Sequence, residues 1–327
     1  MSINKITAPS TITILGGAGF VGSCLVAKLD EAGYQVKVLS RRRENSRHLI
    51  LLPNVQVVEC DVMDNHALKA ALTGSDKVIN LIGILHEAGN NTFEAMHHQL
   101  PRRVAQICEE LNIQRLLHMS ALQADIHAPS QYLKSKALGE ATINACSKKL
   151  DITIFKPSVI FGRGDSFINL LANLVKFLPV IFLAKPKVKF QPIWVEDVAQ
   201  CFMSALENTA TYGKTYELGG PSVYTLRELV QKVMAILGKQ RPIFGLNDTL
   251  SMAQGFMLEL MPIKLMTRDN IRSMQVDSIC SAQIAPELGV VPTSLDVIVP
   301  EYLLNASPRA AYAAFRRAAG RAISARR

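Results

Sequence analysis

The 327-residue chain is predicted to form an α/β protein that is built on a doubly wound parallel β-sheet. Runs rich in Val and Ile alternate with helical segments through the first half, as in parallel sheets that are covered by helices on both faces. The first run leads directly into a glycine-rich turn and an apolar helix. The chain is also long enough to form two hydrophobic cores.

Six strands and four helices are predicted in the first half. The strands are 11–15, 34–39, 55–59, 77–82, 115–119 and 151–156, and the helices are 23–29, 67–72, 100–111 and 131–146. Open sheets of this kind bind ligands outside the carboxyl ends of their strands. Gly83, His86 and Ser120 follow predicted strands, so we expect them to face one crevice.

The turn after the first strand carries Gly16, Gly19 and Gly22 at three-residue spacing. Gly16 is expected to permit the tight turn, Gly19 to let a phosphate approach the backbone, and Gly22 to let the next helix pack close to the sheet. The amides near the start of that helix, including those of Phe20 and Val21, would face the anion. The pattern predicts a dinucleotide site; the alternative is an ordinary glycine-rich turn.

The end of the second strand indicates which nucleotide is bound. Ser40, Arg41, Arg42 and Arg43 stand there, and the first acid is Glu44. An NAD site normally has Asp or Glu about twenty residues after the glycines, where it binds the ribose 2′-hydroxyl. Guanidinium groups instead match a 2′-phosphate in charge and geometry. We therefore expect NADP(H) to be favoured over NAD(H); the alternative is a solvated basic loop.

The formal net charge of +9 is concentrated at the C-terminus. Residues 309–327 contain six Arg and no acid, so the rest of the chain carries only +3. Aromatic and basic residues are not interleaved, which argues against a nucleic-acid partner. The Arg-rich tail is interpreted as a solvated segment, with binding to an anionic lipid surface as the alternative.

Several other classes of protein are disfavoured. The six cysteines form no Cys-x-x-Cys pair, which favours a reduced, cytoplasmic protein. His97 and His98 lack neighbours at metal-ligand spacing, so no metal site is predicted and both are interpreted as ordinary helix or surface residues. No eighteen-residue stretch is free of both charges and helix breakers, and the first residues lack the apolar core of a secretory signal.

A candidate catalytic group follows the fifth strand. Tyr132 and Lys136 lie one turn apart on the same face of the predicted helix 131–146. The Lys136 ammonium is expected to lower the pKa of the Tyr132 phenol, which would then exchange a proton as hydride moves. Ser120 would hydrogen-bond the same substrate oxygen. Because this spacing also arises by chance, the position directly after the fifth strand carries the argument.

The glycine pattern, Asn80-Leu-Ile-Gly83, Ser120 and the Tyr132/Lys136 pair together resemble the extended, atypical short-chain dehydrogenases/reductases, which have a Rossmann fold. Residues 78–83, 132–140, 156–162, 191–198 and 267–271 resemble most closely the branch that contains the NADPH-binding accessory subunit of respiratory complex I and its bacterial relatives. The similarity extends over residues 10–300 and excludes the tail.

The resemblance implies further cofactor contacts after the third, fourth and sixth strands. These residues are Asp61 and Val62 beside the adenine, Leu81 and Gly83 along the nucleotide, and Pro157 and Ser158 at the nicotinamide end. Lys136 would also hold the ribose.

The resemblance also implies two domains. A Rossmann NADP(H)-binding domain would span 1–162 and would also include 191–208. A smaller, mostly helical C-terminal substrate or partner domain would comprise 163–190 and 209–305, followed by the tail 306–327. The apolar stretches 167–184 and 250–266 would form the core of the smaller domain. Their alternative role is a pocket or membrane-facing surface for a lipophilic, quinone- or isoprenoid-like substrate.

One departure from the family pattern argues against nucleotide-sugar epimerisation. Ser120 and Tyr132 are only twelve residues apart, and the Ser-Ser-x-x-x-Tyr-Gly loop of the epimerases is missing.

Three functional hypotheses follow. The leading one is an NADP-dependent oxidoreductase of a small, apolar substrate, in which Tyr132 exchanges the proton, Lys136 holds the ribose and Ser120 orients the substrate oxygen. The alternative is a non-catalytic accessory or assembly protein of a membrane-associated respiratory complex, in which bound NADPH stabilises the fold. A redox-sensing regulator is a third, weaker interpretation. We expect a cytoplasmic location; the alternative is a peripheral location at the inner face of a membrane. The sequence does not indicate the oligomeric state.

Overall fold

The centre of the protein is a parallel β-sheet. The structure is a computed structural model that describes residues 10–146, 150–260 and 266–304. Its strands are β1 (Thr11–Leu15), β2 (Gln35–Ser40), β3 (Val55–Glu59), β4 (Lys77–Asn80), β5 (Arg115–Met119), β6 (Asp151–Pro157), β7 (Ile160–Phe161), β8 (Ile181–Leu183), β9 (Lys189–Phe190), β10 (Ile193–Trp194), β11 (Lys214–Leu218), β12 (Tyr224–Thr225) and β13 (Ile243–Gly245). Seven of them pair in parallel in the order β11-β6-β5-β4-β1-β2-β3. The chain reverses direction across the sheet between β1 and β4, where such sheets open a ligand crevice.

Helices cover both faces of this sheet, which confirms the predicted α/β fold. They are α1 (Phe20–Glu31), α2 (Asn65–Leu72), α3 (Leu100–Glu110), α4 (Gln131–Ala145), α5 (Phe167–Phe177), α6 (Val195–Glu207), α7 (Leu226–Ile236), α8 (Asp248–Glu259), α9 (Arg268–Ser273) and α10 (Leu295–Leu304). A π-helical turn, Glu94–Gln99, leads into α3. Helices α1 and α6 pack on one face, whereas α2, α3 and α4 pack on the other.

Strand β1 shows why the sheet is buried on both sides. Ile12 and Ile14 point into the core under α1 and α6, and Leu15 points into the core under α2 and α3. Successive side chains of a strand point to opposite faces, so a β-branched and aliphatic run fits a strand between two layers of helices. The buried Thr13 hydroxyl forms a hydrogen bond of 2.6 Å with the Ser75 hydroxyl.

A separate hydrophobic core forms in the C-terminal half from Phe161 and from residues of α5, α7 and α10. On this basis we propose the division into a Rossmann domain and a smaller domain. We place the start of the second segment of the smaller domain after Leu218 rather than at residue 209, because Lys214–Leu218 is an edge strand of the main sheet. Residues 191–208 contribute α6 to the Rossmann domain, but their short strand β10 pairs, within the described ranges, with β7 and not with the main sheet. The chain turns at Gly213, with φ of +68°, and only then pairs with β6.

Smaller differences concern the ends of elements. Helix α1 begins at Phe20, three residues earlier than predicted, because Gly19 is its N-cap. The stretch 167–184 forms a helix and a short strand, α5 and β8. The stretch 250–266 lies partly in α8, and its residues 261–265 lie outside the described residues, as does the Arg-rich tail 306–327. Among the helices that are described, none is long and apolar enough to cross a membrane.

Candidate nucleotide-binding site

The loop between β1 and α1 turns sharply at Gly16, whose φ of +81° is a conformation that favours glycine. The Gly19 amide donates to the Gly16 carbonyl oxygen at 3.0 Å, and α1 begins at the next residue, Phe20. Among the residues that the structure describes, no side chain caps this helix, and its first turn contains no acidic residue. The first amides of α1, including those of Phe20 and Val21, are therefore available to an anion at the positive end of the helix.

The three glycines differ in what surrounds them. A Cβ on Gly22 would lie 2.6 Å from the Cα of Gly17, so only glycine lets α1 pack this closely. A Cβ on Gly16 would lie 3.1 Å from the carbonyl carbon of Leu81, which places the loop against the end of β4. For Gly19, the Gly16 oxygen at 3.1 Å is the one neighbour within 4 Å among the described residues. The space in front of Gly19 is open, as a phosphate would require.

The ends of β2 and β3 lie side by side beyond this loop, where the Cys60 amide donates to the Ser40 carbonyl oxygen. The Ser40 hydroxyl donates to the Arg42 carbonyl oxygen at 2.8 Å and braces the basic turn. Arg41, Arg42 and Arg43 are exposed, and within the described ranges none of them forms an ion pair. Arg41 donates to the Asn91 side-chain oxygen at 3.2 Å.

Asp61 and Val62 follow β3 with opposite exposures. The Asp61 carboxylate accepts from the Met63 amide at 3.0 Å and is exposed, whereas Val62 is buried. This gives the end of β3 one polar and one apolar surface.

The end of β4 connects the glycine loop to α4. Asn80 is buried, and its side-chain oxygen accepts from the Ile82 amide at 3.1 Å, which shapes the turn that contains the buried Leu81. A Cβ on Gly83 would lie 3.0 Å from Lys136 Nζ. The glycine loop, the β4 turn and the Lys136 ammonium are therefore contiguous.

Lys136 is only 2% exposed. Its ammonium donates to the Met119 carbonyl oxygen at 3.2 Å. Burial lowers the pKa of Lys136 to about 8, and the neighbouring Glu140 carboxylate opposes this shift. A cation held at the end of β5 with few partners is suited to bind a sugar hydroxyl.

Tyr132 lies one turn before Lys136 and packs edge-on against the rings of Phe93 and His97, with centroids 6.0 and 5.4 Å away. No described residue forms a hydrogen bond with its hydroxyl. Burial raises the pKa of Tyr132 to about 12. This contradicts the expectation that Lys136 lowers the pKa of the phenol, because the Lys136 ammonium is directed toward the Met119 carbonyl oxygen instead.

His97 was interpreted from the sequence as an ordinary helix or surface residue, but it is buried beside Tyr132. Its Nε2 accepts from the Ile84 amide at 2.9 Å, so the ring proton resides on Nδ1, which lies 2.9 Å from the Ser135 hydroxyl. Burial and the Lys136 charge lower the pKa of His97 to about 2, so the ring is neutral. The neighbouring His98 is more exposed and contacts Glu94.

Ser120 follows β5, as predicted, but its hydroxyl is engaged by Glu140 of α4, to which it donates. The other Glu140 oxygen accepts from Lys156 of β6 at 3.2 Å. Lys156 also donates to the Ala124 carbonyl oxygen at 3.3 Å. The sequence did not single out Glu140, although it stands four residues after Lys136 and therefore on the same helix face.

Pro157 and Ser158 lie at the end of β6 next to this network. The Ser158 hydroxyl is buried and donates to the Ser278 carbonyl oxygen at 2.8 Å. It therefore ties the C-terminal half of the chain to the sheet. The contact of Pro157 and Ser158 with the nicotinamide end of a cofactor stays a prediction.

Helix α9 holds the start of α4. The Asp269 carboxylate accepts from the Gln131 and Tyr132 amides at 2.9 and 3.0 Å. The Ser273 hydroxyl donates to that of Ser130, the N-cap of α4, at 2.8 Å. The position of the Tyr132/Lys136 pair thus depends on residues that are far away in sequence.

Comparison with known proteins identifies the family. The model of the NAD dependent epimerase/dehydratase family matches residues 12–219, from β1 to the end of β11. The chain belongs to this family. It is 34% identical over 315 residues to NADH dehydrogenase (ubiquinone) 1 alpha subcomplex subunit 9, mitochondrial, of Arabidopsis thaliana. The alignment covers 90% of this chain and 77% of that protein.

Two further comparisons involve reductases. The chain is 26% identical over 254 residues to a ceramide reductase of Caulobacter vibrioides, which covers 77% of this chain and 78% of that protein. An NADPH-dependent quinone oxidoreductase from Escherichia coli, solved with NADPH, superimposes with a TM-score of 0.74 at 19% identity and covers 90% of this chain and all of that one. The sequence matches confirm the resemblance to the complex I accessory subunit, and the structural match confirms the Rossmann fold.

The residues of this epimerase/dehydratase-family chain fit an NAD(P) nucleotide. Gly16, Gly19 and Gly22 form an open cradle at an uncapped helix N-terminus, and Lys136 lies beside the adjoining β4 turn. In the part of the chain that the structure describes, no group of three His, Cys, Asp or Glu side chains is arranged to hold a metal ion.

Proposed function

We propose that the chain binds NADP(H) as a resident structural group and acts as an accessory protein of a membrane-associated respiratory complex. The observation that carries this proposal is the hydrogen bond from Ser120 to Glu140. A serine hydroxyl has one proton to donate. Because that proton is held by a carboxylate, it is not available to polarise the carbonyl group of a substrate.

The state of Tyr132 supports the same conclusion. Its pKa of about 12 keeps the phenol protonated at neutral pH, so it is not a base for alcohol oxidation. The Lys136 ammonium, which would activate it, is bound to the Met119 carbonyl oxygen and lies near Glu140. The polar groups are therefore arranged to hold α4 and a nucleotide rather than to move protons.

The preference for NADP(H) rests on the basic turn after β2. Arg41, Arg42 and Arg43 are exposed at the end of this strand. In an NAD site, an acidic residue at this place accepts a hydrogen bond from the ribose 2′-hydroxyl. Charge-assisted contacts from guanidinium groups to one phosphate contribute about 1.5–3 kcal/mol, which corresponds to about ten- to a hundredfold in affinity.

The proposed role in a respiratory complex is supported by the relative at 34% identity, whose name makes it a subunit of mitochondrial NADH dehydrogenase. Its similarity extends over 90% of this chain and therefore includes most of the C-terminal half.

Calorimetric titration of the purified chain with NADPH and NADH tests the nucleotide assignment. We expect NADPH to bind at least tenfold more tightly, and the double variant Arg41→Ser/Arg42→Ser to remove this difference. Arg47→Ser, which removes an exposed charge a few residues further on, is the matched control and should keep it. Equal affinities of the wild type for both nucleotides would refute the assignment.

Thermal unfolding tests whether the nucleotide is structural. A resident ligand should raise the melting temperature as the NADPH concentration increases. At an NADPH concentration of one hundred times Kd, the free energy of unfolding should increase by about 2.7 kcal/mol. Tight binding that leaves the melting temperature unchanged would contradict the proposal.

Reduction of an apolar carbonyl or quinone is the second candidate function. It is favoured by the Tyr132 hydroxyl, which has no partner among the described residues and keeps its proton at neutral pH. Bound NADPH would supply the hydride and Tyr132 the proton. The relative named ceramide reductase lends weight to this candidate.

A further inference from the structure

One surface of the C-terminal half, formed by residues 176–187 and 239–260, exposes large apolar side chains; we call it the apolar face. Its segments are joined by hydrogen bonds, from the Ile181 amide to the Pro242 carbonyl oxygen at 3.0 Å and from the Gln254 side chain to the Phe182 carbonyl oxygen at 3.0 Å. Phe182 and Phe244 are paired across β8 and β13, with ring centroids 6.0 Å apart, and each is 56% exposed. The two aromatic rings therefore form an exposed pair on segments that hydrogen bonds join to each other and to α8.

Helix α8 contributes the apolar side chains on its outer side to the apolar face. Ser251 and Gly255 are its buried residues, and a Cβ on Gly255 would lie 3.3 Å from the Arg268 amide nitrogen of α9. The opposite side carries Leu250 and Met257, and Leu260 follows at the helix end; Met257 is 70% and Leu260 is 73% exposed. A helix on the surface of a soluble domain normally has polar residues on its outer side. The outer side of α8 is instead suited to an apolar environment.

The charges around the apolar face are unbalanced. Its only acids in the sequence are Asp248 and Glu259, and each forms an ion pair of 2.7 Å, with Lys185 and Arg268 respectively. Its basic residues are Lys176, Lys185, Lys187, Lys239 and Arg241. Within the described ranges, Lys176, Lys187 and Lys239 form no ion pair. The apolar side chains are therefore flanked by cations that the protein itself does not neutralise.

We propose that the apolar face binds the surface of a membrane that contains anionic phospholipids. Exposed aromatic and aliphatic side chains enter the boundary between headgroups and acyl chains, and the flanking lysines contact the anionic headgroups. The charge complementarity selects a lipid surface over an uncharged protein groove. The inference rests on the proposed function only for its membrane setting and does not depend on the nucleotide.

Vesicle flotation of the full chain tests this proposal, with phosphatidylcholine alone and with phosphatidylcholine that contains phosphatidylglycerol. We expect at least tenfold tighter binding to the anionic vesicles, weakened by salt. Met257→Asp and Leu260→Asp alter side chains that already face solvent, so the fold should persist, and each should lower binding about tenfold or more. Lys187→Glu should lower binding to the anionic vesicles by about tenfold.

Matched controls carry the same chemical change elsewhere. Val291→Asp alters a side chain that is 87% exposed, and Arg102→Glu reverses an exposed charge on α3. Both should bind vesicles like the wild type. Absent binding, or equal binding to both kinds of vesicle, overturns the proposal.

Sedimentation distinguishes a second copy of the chain as the occupant. A dimer that Met257→Asp dissociates would make the face a self-association interface and would overturn the lipid assignment. NADPH titration of the wild-type chain separates the two proposals. NADPH binding by the wild type without vesicle binding defeats only this inference, whereas vesicle binding by the wild type without NADPH binding defeats only the nucleotide assignment. The Met257→Asp and Leu260→Asp variants should keep the wild-type Kd for NADPH.

Discussion

Asp269 is predicted to control the helix that carries Tyr132 and Lys136. Its carboxylate accepts two hydrogen bonds from the first amides of α4, at 2.9 and 3.0 Å. Bonds to a charged group contribute about 1.5–3 kcal/mol and the loss of a helix cap costs about 0.5–2 kcal/mol. Because Asp269 is partly exposed, we expect Asp269→Ala to lower the free energy of unfolding by about 1–3 kcal/mol.

The same substitution should also weaken NADPH binding. Ser130 still caps α4 in this variant, but without the two hydrogen bonds to Asp269 the first turn must be ordered further when the nucleotide binds. About 1 kcal/mol of ordering corresponds to about fivefold in Kd. Chemical denaturation and calorimetric titration measure the two effects separately.

Thr225→Ala is the matched control for this prediction. Thr225 caps α7, which lies in the separate C-terminal core, and its loss should lower stability by a similar amount. It should leave the Kd for NADPH unchanged. The reasoning is refuted if Asp269→Ala keeps wild-type stability and affinity, or if both variants weaken NADPH binding equally.

Two further predictions concern the centre of the site. Because burial lowers the pKa of Lys136 to about 8 from 10.5, the unfolded chain holds a proton that the folded chain loses, and stability should rise with pH between about 8 and 10. The free energy of unfolding should therefore rise more steeply with pH in the wild type than in Lys136→Met, by a total of at most about 3 kcal/mol across this window. If the two plots of unfolding free energy against pH are parallel, the ammonium is not desolvated. Gly19→Val should abolish NADPH binding in a chain that still unfolds cooperatively, since its side chain would fill the open space before α1; calorimetry that finds unchanged affinity would remove the glycine loop from the site.

Local features of the fold could be predicted from the sequence. The passage from β1 through Gly16 to α1 depends on residues that are close together in the chain, because glycine conformation and strand periodicity are local properties. The start of α1 differed by the three residues that follow the Gly19 cap, and its end by two residues.

Features that depend on distant contacts could not be predicted. Lys214–Leu218 joins the main sheet because β6 offers a free edge, which no local pattern reveals. Burial of His97 and the bond from Ser120 to Glu140 arise only when α4 packs on the sheet. The pKa of Tyr132 was predicted in the wrong direction because sequence spacing does not show where the Lys136 ammonium points.

The fate of bound NADPH tests the central claim most directly. The chain is loaded with NADPH, separated from free nucleotide by gel filtration, and mixed with quinones and carbonyl compounds while the absorbance of the reduced nicotinamide is recorded. If the nucleotide is a structural group, the absorbance stays constant and Tyr132→Phe behaves like the wild type. Oxidation of NADPH by the wild type, slowed about 10²–10⁴-fold in Tyr132→Phe, would contradict the claim and establish a reductase.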